Sequence, residues 1–340
     1  MLTPARTELH HPGVVDDLRI GSLCLLLLIT LCACQTPGVE QAYPSRPLSF
    51  IVPWEAGTGG GVASRILASA LEKELDRPVN VVTQVGANGV IGHAALVQSE
   101  ADGYTLGALT EDITMMHWTG LTYINPSSYS PIALIAVNPP VITVRHDAAW
   151  ETIHDLITEL KANPETLTAS GSRFGGLWDL NRIGFLEAAD LEESVMSWQP
   201  SLGSDSALQY LLADSVDVVI SSLSAVDSLR RAGQVRTLAT MSGERLPSAP
   251  DTPTLKESGI DYESVGRWFA LAAPKNLPDA RLELLRVAIW NISKRPEFRE
   301  SIQRTGFQLR HITGSALESF LYEQDLHNGL LLDKAGLSLE

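Results

Sequence analysis

The sequence predicts an α/β protein of two lobes, each a mainly parallel sheet flanked by helices. Apolar runs of strand length alternate with segments whose apolar residues recur at helical spacing, the order that parallel sheets require. Turns rich in Gly or Ser follow several of those runs, at 54–61, 171–176 and 221–224. The length, 340 residues, suits about two domains.

The elements follow in order. "LSFIVP" reads as a buried strand, and from Ala63 the apolar residues Ile66, Leu67, Ala70, Leu71 and Leu75 mark a helix. "RPVNVVTQV" is the next strand, "GANGVIGHAALVQS" a Gly turn entering a helix, and "DGYTLGAL" a turn and strand. A second unit begins near Pro139-Pro140 with the strand "VITVR". Thr152 and Asp155 form a capping-box pattern ahead of the stripe Ile153, Leu156, Ile157 and Leu160. "TLTASGS" runs into the Gly turn "GSRFGGLWDL"; "DSALQYLLA" is a helix and "VDVVIS" a strand. A short helix closed by Gly233, the strand "VRTLAT", and the strand-like "VGRWFALAAP" follow. Pro278 opens a helix carrying Leu282, Leu285, Ile289 and Ile292, and an amphipathic helix starts at Ser315.

The N-terminus reads as a targeting segment. Arg19 precedes an apolar stretch too short to span a bilayer, which ends in "LCAC". Residues 1–34 are expected to be a lipoprotein signal peptide, with Cys34 lipidated as the first mature residue, and 35–42 a polar tether. An ordinary signal peptide is the alternative. All three cysteines, 24, 32 and 34, lie in this leader, so no thiol remains for a disulfide, metal or nucleophile. The expected location is the periplasm, with the membrane reached through the lipid alone.

Net charge is −15, which argues against nucleic acid, since phosphate backbones need clustered Lys and Arg. Catalytic and metal patterns are missing: the eight His show no HExxH spacing, there is no GxSxG elbow, and no metal or cofactor is expected. The Gly run at 57–61 fits neither nucleotide fingerprint. G-x-G-x-x-G would need Gly where Val62 stands, and no Gly-Lys-Ser/Thr occurs. What remains is physical: bare backbone can approach a ligand, and N–H groups opening a helix attract anions. The alternative is a tight structural turn. Ser170 and Ser172 offer short donors ahead of Gly175 and Gly176. Trp54, Trp178 and Trp268 are candidates for either core or cleft, and His93 lies beside a Gly turn.

The ordered segments "YPSRPLSFIVPWEAGTGGGVASR", "VGANGVIGHAAL", "ADGYTLGAL", "LLADSVDVVISSLSAVDSLRRAGQVRTLAT", "ERLPSAPDTPTLKESGID" and "WFALAAPKNLP" resemble the extracytoplasmic solute-binding receptors of tripartite tricarboxylate transporters, including the Bordetella uptake-gene group. The resemblance runs from Tyr43 to Leu337. It implies a type II periplasmic-binding-protein fold, with one lobe of 43–140 plus 245–340, a second lobe of 141–244, and crossings near 139–144 and 240–246. It also implies a ligand carboxylate held by the turn of Ala56, Gly57, Thr58, Gly59, Gly60 and Gly61, by Ser172, Gly175 and Gly176, and by Ser221 and Ser222. Trp268 is expected near the cleft. The implied partners are a small organic carboxylate and the membrane subunits of such a transporter, or a sensor protein.

Three positions depart from the family pattern: Gly61 stands for an Asp, Asp179 for a His, and Ser222 for an Asn. The missing Asp, together with Arg173 and Arg267, favours a di- or tricarboxylate without an amine; Glu55 would oppose this if it pointed inward. Two rivals share the fold: an enzyme, and an interaction protein that no longer binds ligand.

Overall fold

The structure, a computed structural model, describes residues 43–339. The expected signal peptide, the lipidated Cys34 and the tether lie outside the described residues. None of the described helices is long and apolar enough to cross a membrane.

β1 (Leu48–Val52) is the strand expected from "LSFIVP". α1 (Gly59–Leu75) follows and buries Ala63, Leu67, Ala68 and Leu71, the stripe its apolar spacing dictates. β2 (Val79–Thr83), α2 (Val90–Val97) and β3 (Thr105–Leu109) complete a β-α-β-α-β run in which both β2 and β3 pair with β1 in parallel. β4 (Tyr129–Asn138) then crosses directly to β5 (Pro140–Arg145), which lies in the other sheet.

Beyond it come α3 (Ile153–Ala162), β6 (Leu167–Ser170), α4 (Leu177–Ala188), β7 (Met196–Trp198), α5 (Ser204–Leu212), β8 (Val218–Ser222), α6 (Leu223–Arg231) and β9 (Val235–Thr240). The capping box ahead of α3 forms as expected: Asp155 N–H donates to Thr152 Oγ1 at 3.2 Å, and Thr152 N–H donates to Asp155 Oδ2 at 2.9 Å. The chain returns through β10 (Arg267–Pro274) and finishes with α7 (Asp279–Ser293), α8 (Pro296–Arg304), β11 (Gln308–Ile312) and α9 (Gly314–Lys334).

The first sheet has the order β11-β4-β10-β3-β1-β2 and the second β7-β6-β8-β5-β9. Both are mixed rather than mainly parallel. β10 and β4 run antiparallel to their neighbours in the first sheet, as β5 does in the second. The reason is topological. β4, β5 and β10 carry the chain between the sheets, and a strand entering from the other lobe has no crossover helix to turn it parallel.

The return crossing also lies later than the expected 240–246. Leu246 and Ala249 pack with Val141 and Ala207 on one face of the second sheet, and Leu255, Ile260 and Tyr262 pack with Ile142 and Ile220 on the other. Thr240 bridges Thr254, and Met241 N–H donates to Pro140 O. Residues 245–264 therefore belong with the second sheet, and the chain leaves it at Gly266, which bridges Asn138. Both sheets lie in the compact unit that begins at Arg46. α9, about 30 Å long, serves both cores: Leu317, Phe320 and Leu321 pack under the first sheet, Leu331 and Leu332 under the second.

Candidate functional site

Where the two sheets exchange strands, a cavity of about 1200 Å³ opens between them. Three helix starts reach it: Gly57, Thr58 and Gly59 at α1, Gly203 to Ser206 at α5, and Ser222 to Ala225 at α6. Helix starts leave N–H groups without intrahelical acceptors and carry positive partial charge, which favours an anion at α1 and α6; α5 carries Asp205 in its own first turn. The cavity holds the guanidinium groups of Arg231, Arg267 and Arg304 against the carboxylates of Asp205 and Asp227. Arg231 is already paired with Asp227 at 2.8 Å.

The first turn is built to expose its backbone. Thr58 caps α1: its Oγ1 accepts from Gly61 N–H at 3.2 Å and donates to Glu55 O at 2.8 Å. Gly61 is required by close approach, because a Cβ there would stand 2.2 Å from Glu55 O. The family's Asp has no room in this backbone. Gly57 has open space around it. Ala56 lies outside the cavity lining, its carbonyl taken by Arg65 Nη1 at 2.7 Å. Gly60 faces the Trp54 ring, and neither Gly60 nor Gly61 lines the cavity.

The second turn is closed. Ser170 is buried and its Oγ donates to Gln199 O at 2.7 Å, while Ser172 Oγ donates to Arg173 O at 3.1 Å. Gly176 N–H also donates to Arg173 O, and Gly175 N–H donates to Asp179 Oδ2 at 2.9 Å. Gly175 takes a φ of +66°, and a Cβ there would meet Leu337 at 2.2 Å. Asp179 is fully buried and ion-paired with Arg182 at 2.8 Å; Arg182 in turn reaches Glu193 and the carbonyls of Glu193 and Met196. Burial pushes the Asp179 carboxyl up, against the pull of Arg182 and Gly175 N–H. The donors expected to serve a ligand are engaged within the protein. Arg173 and Gly175 line a separate cavity of about 260 Å³, together with Asn88, Asp112 and Leu337.

Two further expectations are corrected by strand alternation. Trp268 is fully buried, edge-on to Phe320 at 5.8 Å, in the core beneath the first sheet. Its neighbour Arg267 is the residue of β10 that faces the cavity. Ser221 is buried on the face of β8 shared with Val219, whereas Ser222 reaches the cavity, its Oγ 3.1 Å from Ser224 Oγ. His93 is buried with neither ring nitrogen bonded among the described residues, between Trp54 and Tyr129. Burial holds it neutral, with its pKa lowered to about 3.

Sequence reasoning missed the start of α5, the segment 303–308 and Asn138, whose Nδ2 donates to Ser224 Oγ at 3.0 Å across the crossing. The alternation Arg267-Trp268 carried a readable signal; the α5 start, a Gly-Ser-Asp-Ser run, carried another. Among the described residues no group of three or more His, Cys, Asp or Glu could hold a metal ion.

The sequence model for the family described as "Tripartite tricarboxylate transporter family receptor" matches residues 63–337. The chain is 27% identical to a UPF0065 protein of Bordetella pertussis over 321 residues, covering 94% of this chain and 97% of that one. It is 30% identical to the protein BugT of the same organism, over 76% of this chain and 80% of BugT. Among solved structures, a TctC solute-binding protein from Polaromonas superposes with a TM-score of 0.78 at 30% identity, covering 86% and 99% of the two chains. The fold is also that of two R. palustris proteins. One, solved with adipate, has a TM-score of 0.73 at 22% identity over 87% and 99% of the chains. The other, MatC with bound malate, has a TM-score of 0.68 at 19% identity over 85% and 100%.

Proposed function

The chain belongs to the tripartite tricarboxylate transporter receptor family, and from that premise we propose that it captures a small organic di- or tricarboxylate in the 1200 Å³ cavity and presents it to the membrane subunits of such a transporter. One observation carries the reading: the turn at Gly57 to Gly59 shares a single cavity with two other helix starts. Main-chain N–H groups of the turn take one carboxylate of the ligand where a side chain would block its approach. The cavity exceeds the roughly 300–1,000 Å³ usual for small ligands, so the lobes close over a bound acid. The crossings at Asn138–Pro140 and at Gly266 supply the hinge.

Adipate and malate, the acids named for two proteins of this fold, belong to the ligand class proposed. The protein is read as a periplasmic lipoprotein held at the membrane through Cys34, a binding protein rather than an enzyme; delivery to a sensor is the variant of the same reading.

A thermal-shift screen of mono-, di- and tricarboxylates tests it. An acid present at 100 times its Kd adds about 2.7 kcal/mol to stability. A screen in which no carboxylate shifts the transition would leave the interaction-protein reading in its place. Mass spectrometry of the membrane fraction tests the anchor, which predicts a lipidated Cys34 at the mature N-terminus.

A further inference from the structure

We propose that Arg267 is the specificity-determining residue of this receptor: its guanidinium, held between Glu111 and Trp178 on the cavity wall, takes the second carboxylate of the ligand, and Glu111 is its positioning residue. The inference rests on the cavity being the ligand site and goes beyond it by assigning the choice between one and two acid groups to a side chain.

Arg267 opens β10, directly beside the crossing, in register with Asn138. Its side chain is half-exposed into the cavity. Its Nε stands 3.6 Å from Glu111 Oε1, an ion-pair distance rather than a hydrogen bond. The other oxygen of Glu111 accepts from Trp268 N–H at 3.4 Å, so the carboxylate is fixed to the backbone of the strand that presents the arginine. On its other side the Arg267 Cζ lies 5.7 Å from the centroid of Trp178, within the range of a cation–π contact. Glu111 belongs to the first sheet's side of the cleft and Trp178 to α4 of the second.

Contact through Nε leaves the two terminal nitrogens as a fork, the geometry that receives a carboxylate on two parallel hydrogen bonds. The other guanidiniums of the cavity make closer contacts within the protein than the 3.6 Å of Arg267 to Glu111. Arg231 is paired with Asp227, and Arg304 Nη2 donates to Ser301 Oγ at 2.9 Å. A ligand that meets both the Gly57 to Gly59 turn and Arg267 needs an acid group at each end.

Glu111 also gives this role a signature. Burial, and then the neighbouring Asp112, push its pKa up to about 7; Arg267 and two backbone N–H groups oppose them. Of the groups around its turn, Asn328 of α9 donates to Thr114 and is uncharged, and Asp325 of α9 lies 3.3 Å from His117. When Glu111 is protonated, Arg267 has no internal counter-anion and attracts the ligand's carboxylate fully. When Glu111 is ionised, it competes. Dicarboxylate affinity therefore falls as pH rises through 7.

Calorimetry on the full chain with two matched probe pairs, succinate against butyrate and adipate against hexanoate, tests the assignment. Arg267→Gln is expected to weaken the better dicarboxylate roughly thirty-fold and to leave its monocarboxylate within about three-fold. Arg267→Lys, which keeps charge without the fork, falls between. Glu111→Gln is expected to flatten the dicarboxylate pH profile between 6 and 8. Should Arg267→Gln misfold by leaving Glu111 buried and unpaired, the double variant Glu111→Gln with Arg267→Gln removes both charges and must show the same loss of discrimination. Equal weakening of both members of a pair, or of neither, overturns the role of Arg267 while the receptor reading stands. A wild-type protein that binds none of the four acids overturns both.

Discussion

The turn at 54–61 and the turn at 171–176 hold equivalent places in the two lobes. Each leaves a strand flanked by two parallel neighbours, β1 between β3 and β2, β6 between β8 and β7, and each enters a helix. In sequence both look like anion sites. In the fold they differ in the first turn of the helix that follows, among other positions. α1 has no acidic residue there, and Gly57 to Gly59 line the cavity, with the Thr58 N–H donating to Glu55 O at 3.1 Å. α4 has Asp179, whose carboxylate fills the role an anion would take, accepting Gly175 N–H and pairing with Arg182. A Gly-rich turn entering a helix is thus an anion site only while the protein does not supply the anion itself.

That contrast can be broken most severely at Asp179. Asp179→Ala leaves buried Arg182 with Glu193 as its remaining carboxylate and the Gly175 N–H without its acceptor, and is expected to cost about 3 kcal/mol of stability, measured by denaturant unfolding. A loss below about 1 kcal/mol would mean that the internal pair does not hold the second turn.

In the first turn, two glycines separate folding from binding. Gly61→Ala places a Cβ 2.2 Å from Glu55 O and should destabilise by about 1–3 kcal/mol. Gly57→Ala meets open space and should change stability by no more than about 0.5 kcal/mol. It should still weaken the ligand about ten-fold, or about 1.4 kcal/mol, by crowding the approach to the amides. Thermal unfolding and calorimetry on the same two variants read both effects; equal affinity in Gly57→Ala and the wild type would remove that turn from the site.

The smallest effect at neutral pH is at His93, beneath the first turn. Its folded pKa, about 3, lies below the ordinary 6.5, so the unfolded chain takes up the proton first. Its contribution is intact above pH 6.5 and is lost as pH falls from there toward 3. His93→Leu should leave stability at pH 7.5 nearly unchanged and flatten its decline between pH 6 and 4. An unaltered acid slope would place the sensitivity elsewhere.

Much of this was legible in the sequence. The β-α-β run from Leu48, the capping box at Thr152 and the family of the chain all follow from local spacing and ordered segments. β4 was missed because an unbroken apolar run, "PIALIAV", has no alternation when a strand is buried on both faces. Arg267 was readable as a guanidinium of the site; that Trp268 turns away from the cavity was not, because a resemblance locates a segment, whereas strand phase decides which of two neighbours turns inward. The closure of the second turn was not readable at all. Asp179 was visible as a departure, but its partner and the geometry of Gly175 exist only once α4 packs.

A crystal structure of the chain with whichever dicarboxylate binds most tightly shows which of the two turns holds the acid. The predicted result is one carboxylate accepting hydrogen bonds from the main-chain N–H groups of Gly57 and Gly59, with Gly175 N–H still bonded to Asp179. A carboxylate seated on Gly175 and Gly176, with Asp179 displaced, would contradict it.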